Sequence, residues 1–372
     1  MPSLTTGARN SHPYPWSDSI TDLSSFSSDY WAAREKFRDS ARAIGATLEA
    51  FSNPAAPPPG RDGPLTTDVA LLGPPDATRV LLVNAGTHGV EAFAGSAIEV
   101  GFLAARPALP NDVRVIIVHA INPHGFAWLR RVTEDNVDLN RNFVDHDGPH
   151  PPNDAYDALH PALCPERWDA VSLAEMERAI DEYVDKHGAF ALQAVVTRGQ
   201  YDHPDGIFYG GRQATWSNTT FRDILDRHVT GARRIAFIDL HTGLGAYGDA
   251  EMIGGGWMGD RYGDIAATPP PGKSSSAPLV GVIARSVREA ARGADVLSAT
   301  LEFGTYPVRE VLHALLADNW LHAHGDVDSP LGREIKADIR KRLFPDEAGW
   351  KERVLAKGVE ILNRALKGLG EP

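Results

Sequence analysis

Continuous apolar runs alternate with amphipathic stretches along most of this chain. Residues 79–86, 113–122 and 234–241 are unbroken apolar runs, which are typical of strands buried on both faces, and 66–73 and 296–305 are further strand candidates. Apolar positions at helical spacing predict helices at 30–51, 95–105, 172–187, 216–229, 313–325 and 333–368. The alternation predicts an α/β fold with one twisted, mixed and mostly parallel β-sheet flanked by helices.

Other segments are less regular. The stretch 145–167 is rich in His, Pro and Asp and predicts a long surface loop, and 191–199 and 206–211 are interpreted as strands. Many Gly, Pro and Ser residues at 246–278 predict a mobile or lid-like connection, while 276–293 is a strand or a helix. No repeat or linker divides the chain. We therefore expect one catalytic domain over 1–372, with an N-terminal helix and proline-rich lead-in at 1–60 and a C-terminal helix at 333–372.

Composition narrows the choice of partners. The formal net charge of -12 argues against nucleic acid and anionic membranes, although a local arginine cluster can still bind an anionic small molecule. The single cysteine, Cys164, excludes an intrachain disulfide and a cysteine-rich metal site. Because the first residues carry no apolar segment flanked by basic residues, we expect a cytoplasmic protein. Assembly into a homo-oligomer stays open.

Two of the apolar strands end in candidate metal ligands. His88 and Glu91 lie three residues apart directly after the run 79–86, and His241 ends the run 234–241 before a glycine-bearing turn. Two histidines, one glutamate and a water complete the open tetrahedral site typical of hydrolytic zinc. The alternative is that the pair is coincidental and that His241 only caps its strand.

A third strand contains an isolated carboxylate. Glu302 lies inside the apolar run 296–305, where an unpaired charge is costly. Either an arginine pairs with it, or it is a general base that takes a proton from water and delivers it to a leaving amine.

Arginines follow the strand at 113–122. Arg130, Arg131, Asn140 and Arg141 lie within residues 121–143. These side chains are either a cover for the acidic surface or functional groups, since one guanidinium can stabilise an oxyanion and another, with an asparagine, can bind a carboxylate.

Four separated segments resemble the zinc carboxypeptidase family related to carboxypeptidase A, in a bacterial branch. They are HGVE at 88–91, NPHG at 122–125 with DLNRNF at 138–143, DLHTGLG at 239–245 and LEFGT at 301–305, in the family's order and over about two-thirds of the chain. The family also includes deacylases of the aspartoacylase and succinylglutamate desuccinylase type.

The resemblance implies a zinc carboxypeptidase-like fold with a role for each motif residue. His88, Glu91 and His241 would bind one zinc ion, and Glu302 would be the general base and acid. Asp138 would orient a histidine ligand, His88 being the one expected.

The resemblance also implies how the substrate is held. Asn140 and Arg141 would bind a substrate carboxylate, and Arg131, with Arg130 as its rival, would polarise the scissile carbonyl. The mobile tyrosine of the digestive enzymes has no clear equivalent here. Tyr306 is preferred because it follows Glu302 closely, with Tyr201 and Tyr209 as alternatives.

These residues predict a zinc metallohydrolase that cleaves an amide bond next to a free carboxylate. The preferred function is a metallocarboxypeptidase (a metallopeptidase acting on small peptides). The alternative is an amidohydrolase acting on N-acyl amino acids, because the shared residues do not separate the two branches. A catalytically inactive binding protein is a third hypothesis, against which the presence of every ligand together with Glu302 counts.

Overall fold

The structure is a computed structural model that describes residues 23–254, 266–267 and 274–371. Within them the strands form a single sheet in the order β1-β2-β4-β3-β5-β8-β6-β7. The strands are β1 (Thr47–Asn53), β2 (Leu65–Leu72), β3 (Arg79–Ala85), β4 (Val113–His119), β5 (Arg234–Tyr247), β6 (Ala250–Ile253), β7 (Ala266–Ala267) and β8 (Asp295–Gly304).

The sheet is mixed. The pairs β3–β4, β3–β5, β5–β8 and β6–β7 are parallel, whereas β1–β2, β2–β4 and β6–β8 are antiparallel. The described helices are α1 (Tyr30–Ala43), α2 (Ala92–Ala104), α3 (Pro123–Ala127), α4 (Asp154–Leu163), α5 (Ala170–His187), α6 (Ala189–Thr197), α7 (Trp216–His228), α8 (Ala284–Ala290), α9 (Val308–His324), α10 (Pro330–Leu343) and α11 (Ala348–Gly370). The predicted α/β fold with a mixed sheet between helices is confirmed.

Helices cover both faces of the central strands. Leu81 and Val83 of β3 point into a core shared with α1, α2 and α11, and the alternating residues Val80 and Leu82 point into a second core with α7 and α8. Because successive strand side chains alternate between faces, a strand buried on both sides is apolar throughout. This burial explains why residues 79–86 contain so few polar side chains.

The predicted helix at 30–51 is too long. Helix α1 ends at Ala43, Gly45 adopts a positive φ of 78°, and residues from Thr47 form the edge strand β1, paired antiparallel with β2. Apolar residues of the edge strand continue the helical spacing by coincidence, so periodicity alone could not place the boundary.

Three predictions within residues 145–211 also differ from the structure. Residues 191–199 belong mainly to helix α6, whose Leu192 and Val196 lie one turn apart and are buried, so the apolar run follows the helical period. Residues 206–211 form no strand, apart from an isolated bridge between Gln200 and Tyr209. The predicted loop at 145–167 contains helix α4.

The lid-like connection predicted at 246–278 is described only in part. It begins in β5 and includes β6 and β7, while 255–265 and 268–273 lie outside the described residues. The ambiguous segment 276–293 contains helix α8. No helix in the described parts of the chain is long and apolar enough to cross a membrane.

Candidate metal centre and active site

The carboxyl ends of β3, β5 and β8 lie side by side. The parallel register aligns Ala85 with Leu240 and His241 with Glu302, so the end of each strand meets the next at one edge. His88 and Glu91 follow β3 in a short 3₁₀ turn. Open α/β sheets bind ligands at this edge, and the topology brings the three predicted motifs together there.

A backbone contact fixes the turn that contains His88 and Glu91. Gly89 packs so closely on the neighbouring backbone that an added Cβ would lie 2.0 Å from the Gly125 carbonyl carbon. The amide of Gly89 donates to the Arg131 carbonyl at 3.1 Å, and that of Val90 donates to the Arg130 carbonyl at 2.9 Å. These bonds place the turn beside the arginine-bearing segment.

Three donor groups converge at the strand ends. His88 Nδ1 lies 2.9 Å from Glu91 Oε1 and 3.1 Å from His241 Nδ1, and His241 Nδ1 lies 3.1 Å from Glu91 Oε2. All three residues are buried. Side-chain atoms this close can share one cation.

A carboxylate contacts the Nε2 atom of each imidazole. Asp138 Oδ1 lies 3.3 Å from His88 Nε2, and Asp239 Oδ2 lies 2.6 Å from His241 Nε2. Asp239 also accepts hydrogen bonds from Asn84 Nδ2 and Thr87 Oγ1. A carboxylate in this position holds the proton on Nε2, so each Nδ1 presents a lone pair to the other ring and to Glu91.

The charges of the centre fit a divalent cation. Three buried carboxylates (Glu91, Asp138 and Asp239) against two arginines (Arg131 and Arg141) leave an excess negative charge of one, and Glu302 adds a second when it is ionised. Burial opposes ionisation of Glu91, yet the nearby His88 and His241 lower its pKa. Burial also opposes ionisation of Asp138, whose pKa Arg131 and Arg141 hold well below its usual range. The donor set of two imidazoles and one carboxylate is the one that zinc accepts.

Glu302 lies beside this centre without a cationic partner among the described residues. Its Oε1 accepts a hydrogen bond from the Leu244 amide at 2.9 Å, and the side chain lines the cavity in front of the donors. Burial, reinforced by the negative charge of Glu91, raises the pKa of Glu302 to about 7. A carboxyl group with such a pKa can both accept and return a proton near neutral pH.

Three guanidinium groups line the same cavity, and that of Arg309 is paired with Glu177 and Asp181. Arg131 donates from Nε to Asp138 at 3.0 Å and from Nη1 to Glu91 at 3.1 Å. Arg141 donates from Nε to the Thr197 carbonyl and from Nη1 to the Asn140 carbonyl, both at 2.7 Å. Its Nη2 bonds to no described residue, so one donor group remains for a ligand.

Phe208 lies against both arginines. The guanidinium carbon of Arg131 is 4.9 Å from the centre of the ring, and that of Arg141 is 5.5 Å from it. The aromatic face attracts both cations and limits where they can move.

The cavity is about 280 Å³ in volume, and most of its wall is aliphatic. The metal donors and Glu302 lie at the strand ends, and the other polar side chains of the wall include Arg131, Arg141, Gln193 and Arg309. Helices α5, α6 and α9 supply the apolar part through Ile180, Val184, Leu192, Val196, Val308, Val311, Leu312 and Leu315.

Several predicted site residues lie elsewhere. Arg130 does not line this cavity, because its guanidinium donates to Asp318 at 3.0 Å and to Asn136 at 2.9 Å. Tyr306 does not line it either, since its hydroxyl donates to Glu347 at 3.4 Å near the surface. The structure therefore places Tyr306 outside the cavity, and its contact with a substrate stays a prediction.

The two alternative tyrosines are also held away from the cavity. Tyr201 is buried, and its hydroxyl donates to the backbone carbonyl of Arg141 at 2.7 Å. The carbonyl of Tyr209 accepts from the Asp138 amide at 2.7 Å, and its side chain is absent from the cavity wall. In contrast, His88, Glu91, Arg131, Asn140, Arg141, His241 and Glu302 all line the cavity, and Asp138 lies behind His88.

Sequence reasoning missed Asp239 and Phe208. Asp239 had a visible signal, because it lies two positions before His241 in a strand and the two side chains therefore share a face. No such signal existed for Phe208, which reaches the arginines through a non-local contact.

Comparison with known proteins places the chain in a family. The family model described as "Protein of unknown function (DUF2817)" matches residues 26–357, and the chain belongs to that family. No curated protein matches the chain in sequence.

Similar solved structures include hydrolases of several kinds. A succinylglutamate desuccinylase from Chromobacterium violaceum is 14% identical (84% of this chain, 74% of that chain, TM-score 0.37). Carboxypeptidase A from Helicoverpa armigera is 14% identical (84% and 73%, TM-score 0.41). A murein-tripeptide amidase from Escherichia coli O157 is 14% identical (83% and 98%, TM-score 0.36). Identities this low show nothing about activity, which has to be argued from the site.

Proposed function

We propose that this member of the DUF2817 family is a zinc-dependent hydrolase that cleaves an amide bond beside a free carboxylate. One observation carries the proposal: His88, Glu91 and His241 converge within hydrogen-bond distance, and each imidazole is backed by its own carboxylate. In one cavity with them lie a glutamate of raised pKa and two arginines. Metal ligands, a base and cationic groups are what amide hydrolysis requires.

The metal ligands, Glu302 and Arg131 have different roles in this reaction. Zinc held by His88, Glu91 and His241 would polarise the amide carbonyl and make water more acidic. Glu302 takes the proton of the attacking water and returns it to the leaving nitrogen, and its pKa of about 7 suits both transfers. Arg131 lies beside Glu91 and stabilises the charge that develops on the carbonyl oxygen.

Arg141 and Asn140 define the end of the substrate. The unpaired Nη2 of Arg141 is a donor for a carboxylate, and helix α6 next to it offers Leu192 and Val196. The group that bears the carboxylate is therefore apolar in our proposal. A small peptide with an apolar C-terminal residue fits, which makes a metallocarboxypeptidase the preferred function.

Metal analysis is the first test. The purified protein should contain zinc, lose activity when a chelator removes it, and recover activity when zinc is returned. Absence of zinc together with unchanged activity under chelation would refute the proposal.

A substrate panel decides between the two branches of hydrolase. Dipeptides ending in Leu or Phe should be cleaved faster than those ending in Asp or Lys, and faster than the corresponding N-acyl amino acids. Faster cleavage of the N-acyl series would favour the amidohydrolase. Equal rates for peptides amidated at the C-terminus would contradict the role of Arg141, because an amide removes the charge that a guanidinium binds.

A further inference from the structure

A second cluster of imidazole and carboxylate groups lies outside the catalytic cavity. His160 of α4 and His203 of the loop after α6 stack with ring centres 3.9 Å apart and planes inclined by 18°. Asp205 Oδ1 lies 3.2 Å from His160 Nε2, and Asp157 Oδ1 lies 3.0 Å from His203 Nε2. None of the four residues lines the cavity described above.

The ligand atoms of these groups lie close enough to share one metal ion. His160, His203 and Asp205 each offer a ligand atom, and these atoms lie within 4.8 Å of one another. Because an imidazole lone pair lies in the plane of its ring, the two rings would turn out of their stack to bind the same ion. Two imidazoles with one or two carboxylates form a ligand set that zinc and its neighbours in the first transition row accept.

The loop that carries His203 and Asp205 is already fixed in place. Gln200 accepts from the His203 amide at 2.8 Å and donates to the His203 carbonyl at 2.7 Å. Asn319 donates to the Asp205 carbonyl at 2.7 Å, and Asn136 donates to the Pro204 carbonyl at 3.0 Å. A backbone held by such bonds loses little freedom when its side chains bind an ion. The fixed backbone keeps His203 and Asp205 beside His160.

The same loop leads into the active site. Two residues after Gly206 comes Phe208, which lies on Arg131 and Arg141, and the next carbonyl accepts from the Asp138 amide. An added Cβ at Gly206 would lie 3.2 Å from His160 Cδ2 and 2.5 Å from the Tyr156 hydroxyl, so the loop packs directly on α4. A metal ion here would connect α4 to the loop and stabilise the position of Phe208.

We propose that His160, His203 and Asp205, with Asp157 beside them, bind a divalent ion of the zinc type as a structural site. The site is distinct from the catalytic centre, and its occupancy does not depend on the function proposed above. A stabilising role follows from the position of the ligands, which come from helix α4 and from the loop packed on it, while Asp205 alone also lines a neighbouring cavity of about 300 Å³.

The test is a count of bound ions in the full chain. Protein stripped with a chelator is reloaded with Zn²⁺, dialysed and analysed for metal, and Co²⁺ absorption spectra are recorded in parallel. We expect two ions per chain in the unmodified protein, one in H160Q/H203Q, one in H241A and none in the triple variant. The H150Q variant is the matched control, because His150 lies 3.1 Å from His146 in the same segment but belongs to no such cluster in the described residues.

The proposal makes a second, independent prediction on stability. Zn²⁺ should raise the Tm of H241A, whose catalytic site is disabled, and should not raise that of H241A/H160Q/H203Q. Equal ion counts in H160Q/H203Q and the unmodified protein would overturn the proposal. If H160Q/H203Q does not fold, D205N decides in its place: retention of the full ion count by folded D205N, with unchanged Zn²⁺ affinity, would equally overturn it.

Discussion

Asp68 and Glu302 are both buried carboxylates on strands of one sheet, but their surroundings differ in charge. Asp68 of β2 receives Arg34 Nε at 2.5 Å and a further ion pair from Arg38, both from helix α1. Glu302 of β8 receives a single backbone amide and lies near the negative charge of Glu91.

The comparison shows that two buried carboxylates of one sheet have different roles because the charges around them differ. At β2 the two arginines form ion pairs with the carboxylate and tie helix α1 to the sheet. At β8 the lack of a cation among the described residues leaves a carboxyl group that exchanges its proton near neutral pH. The sequence left open that an arginine forms a salt bridge with Glu302. The structure shows such salt bridges at Asp68 instead.

Removing the proton acceptor at Glu302 should have the largest effect. The E302Q variant keeps the shape of the side chain but cannot take a proton from water, so kcat should fall by about 10²–10⁴-fold with zinc content unchanged. Steady-state kinetics and metal analysis measure both quantities. D68N is the matched control and should keep its kcat. Full turnover in E302Q would remove the base assignment.

Asp239 tests the support of the metal ligands. In D239N the carboxylate behind His241 is replaced by a neutral amide, and the affinity for zinc should weaken by about 10–100-fold. Competition with a chelator of known affinity measures the change, with D68N again as the control. Unchanged affinity would mean that Asp239 does not orient His241.

The compensated carboxylate should affect stability without affecting catalysis. D68N leaves Arg34 and Arg38 without their partner, and the free energy of unfolding should fall by about 1–3 kcal/mol. Urea denaturation measures the loss. A fall in kcat at unchanged stability would reverse the contrast between the two carboxylates.

Phe208 should give the smallest effect. F208L removes the aromatic face from Arg131 and Arg141, and we expect about 0.5–2 kcal/mol of weaker substrate binding, seen mainly in KM. Phe51 lies 5.3 Å from the guanidinium carbon of Arg227, away from the cavity, so F51L is the matched control. An equal change of KM in both variants would contradict a local role for Phe208.

The sequence by itself determined the central strands and the motif residues of the site. Strands buried on both faces need unbroken apolar runs, and parallel strands bring their carboxyl ends to one edge. The motifs at 88–91, 239–245 and 301–305 therefore had to meet, and the structure brings them together. Local patterns of this kind are readable because the cause lies within a few residues.

The tertiary structure decided what depends on distant contacts. It placed Arg131 and not Arg130 in the wall of the cavity, because Asp318 from helix α9 binds the Arg130 guanidinium. It placed Tyr306 next to Glu347 and Phe208 over the two arginines. Among the described residues it pairs no arginine with Glu302, while it pairs two with Asp68. The partner of a buried charge comes from another element of the chain, so only the packing of those elements fixes it.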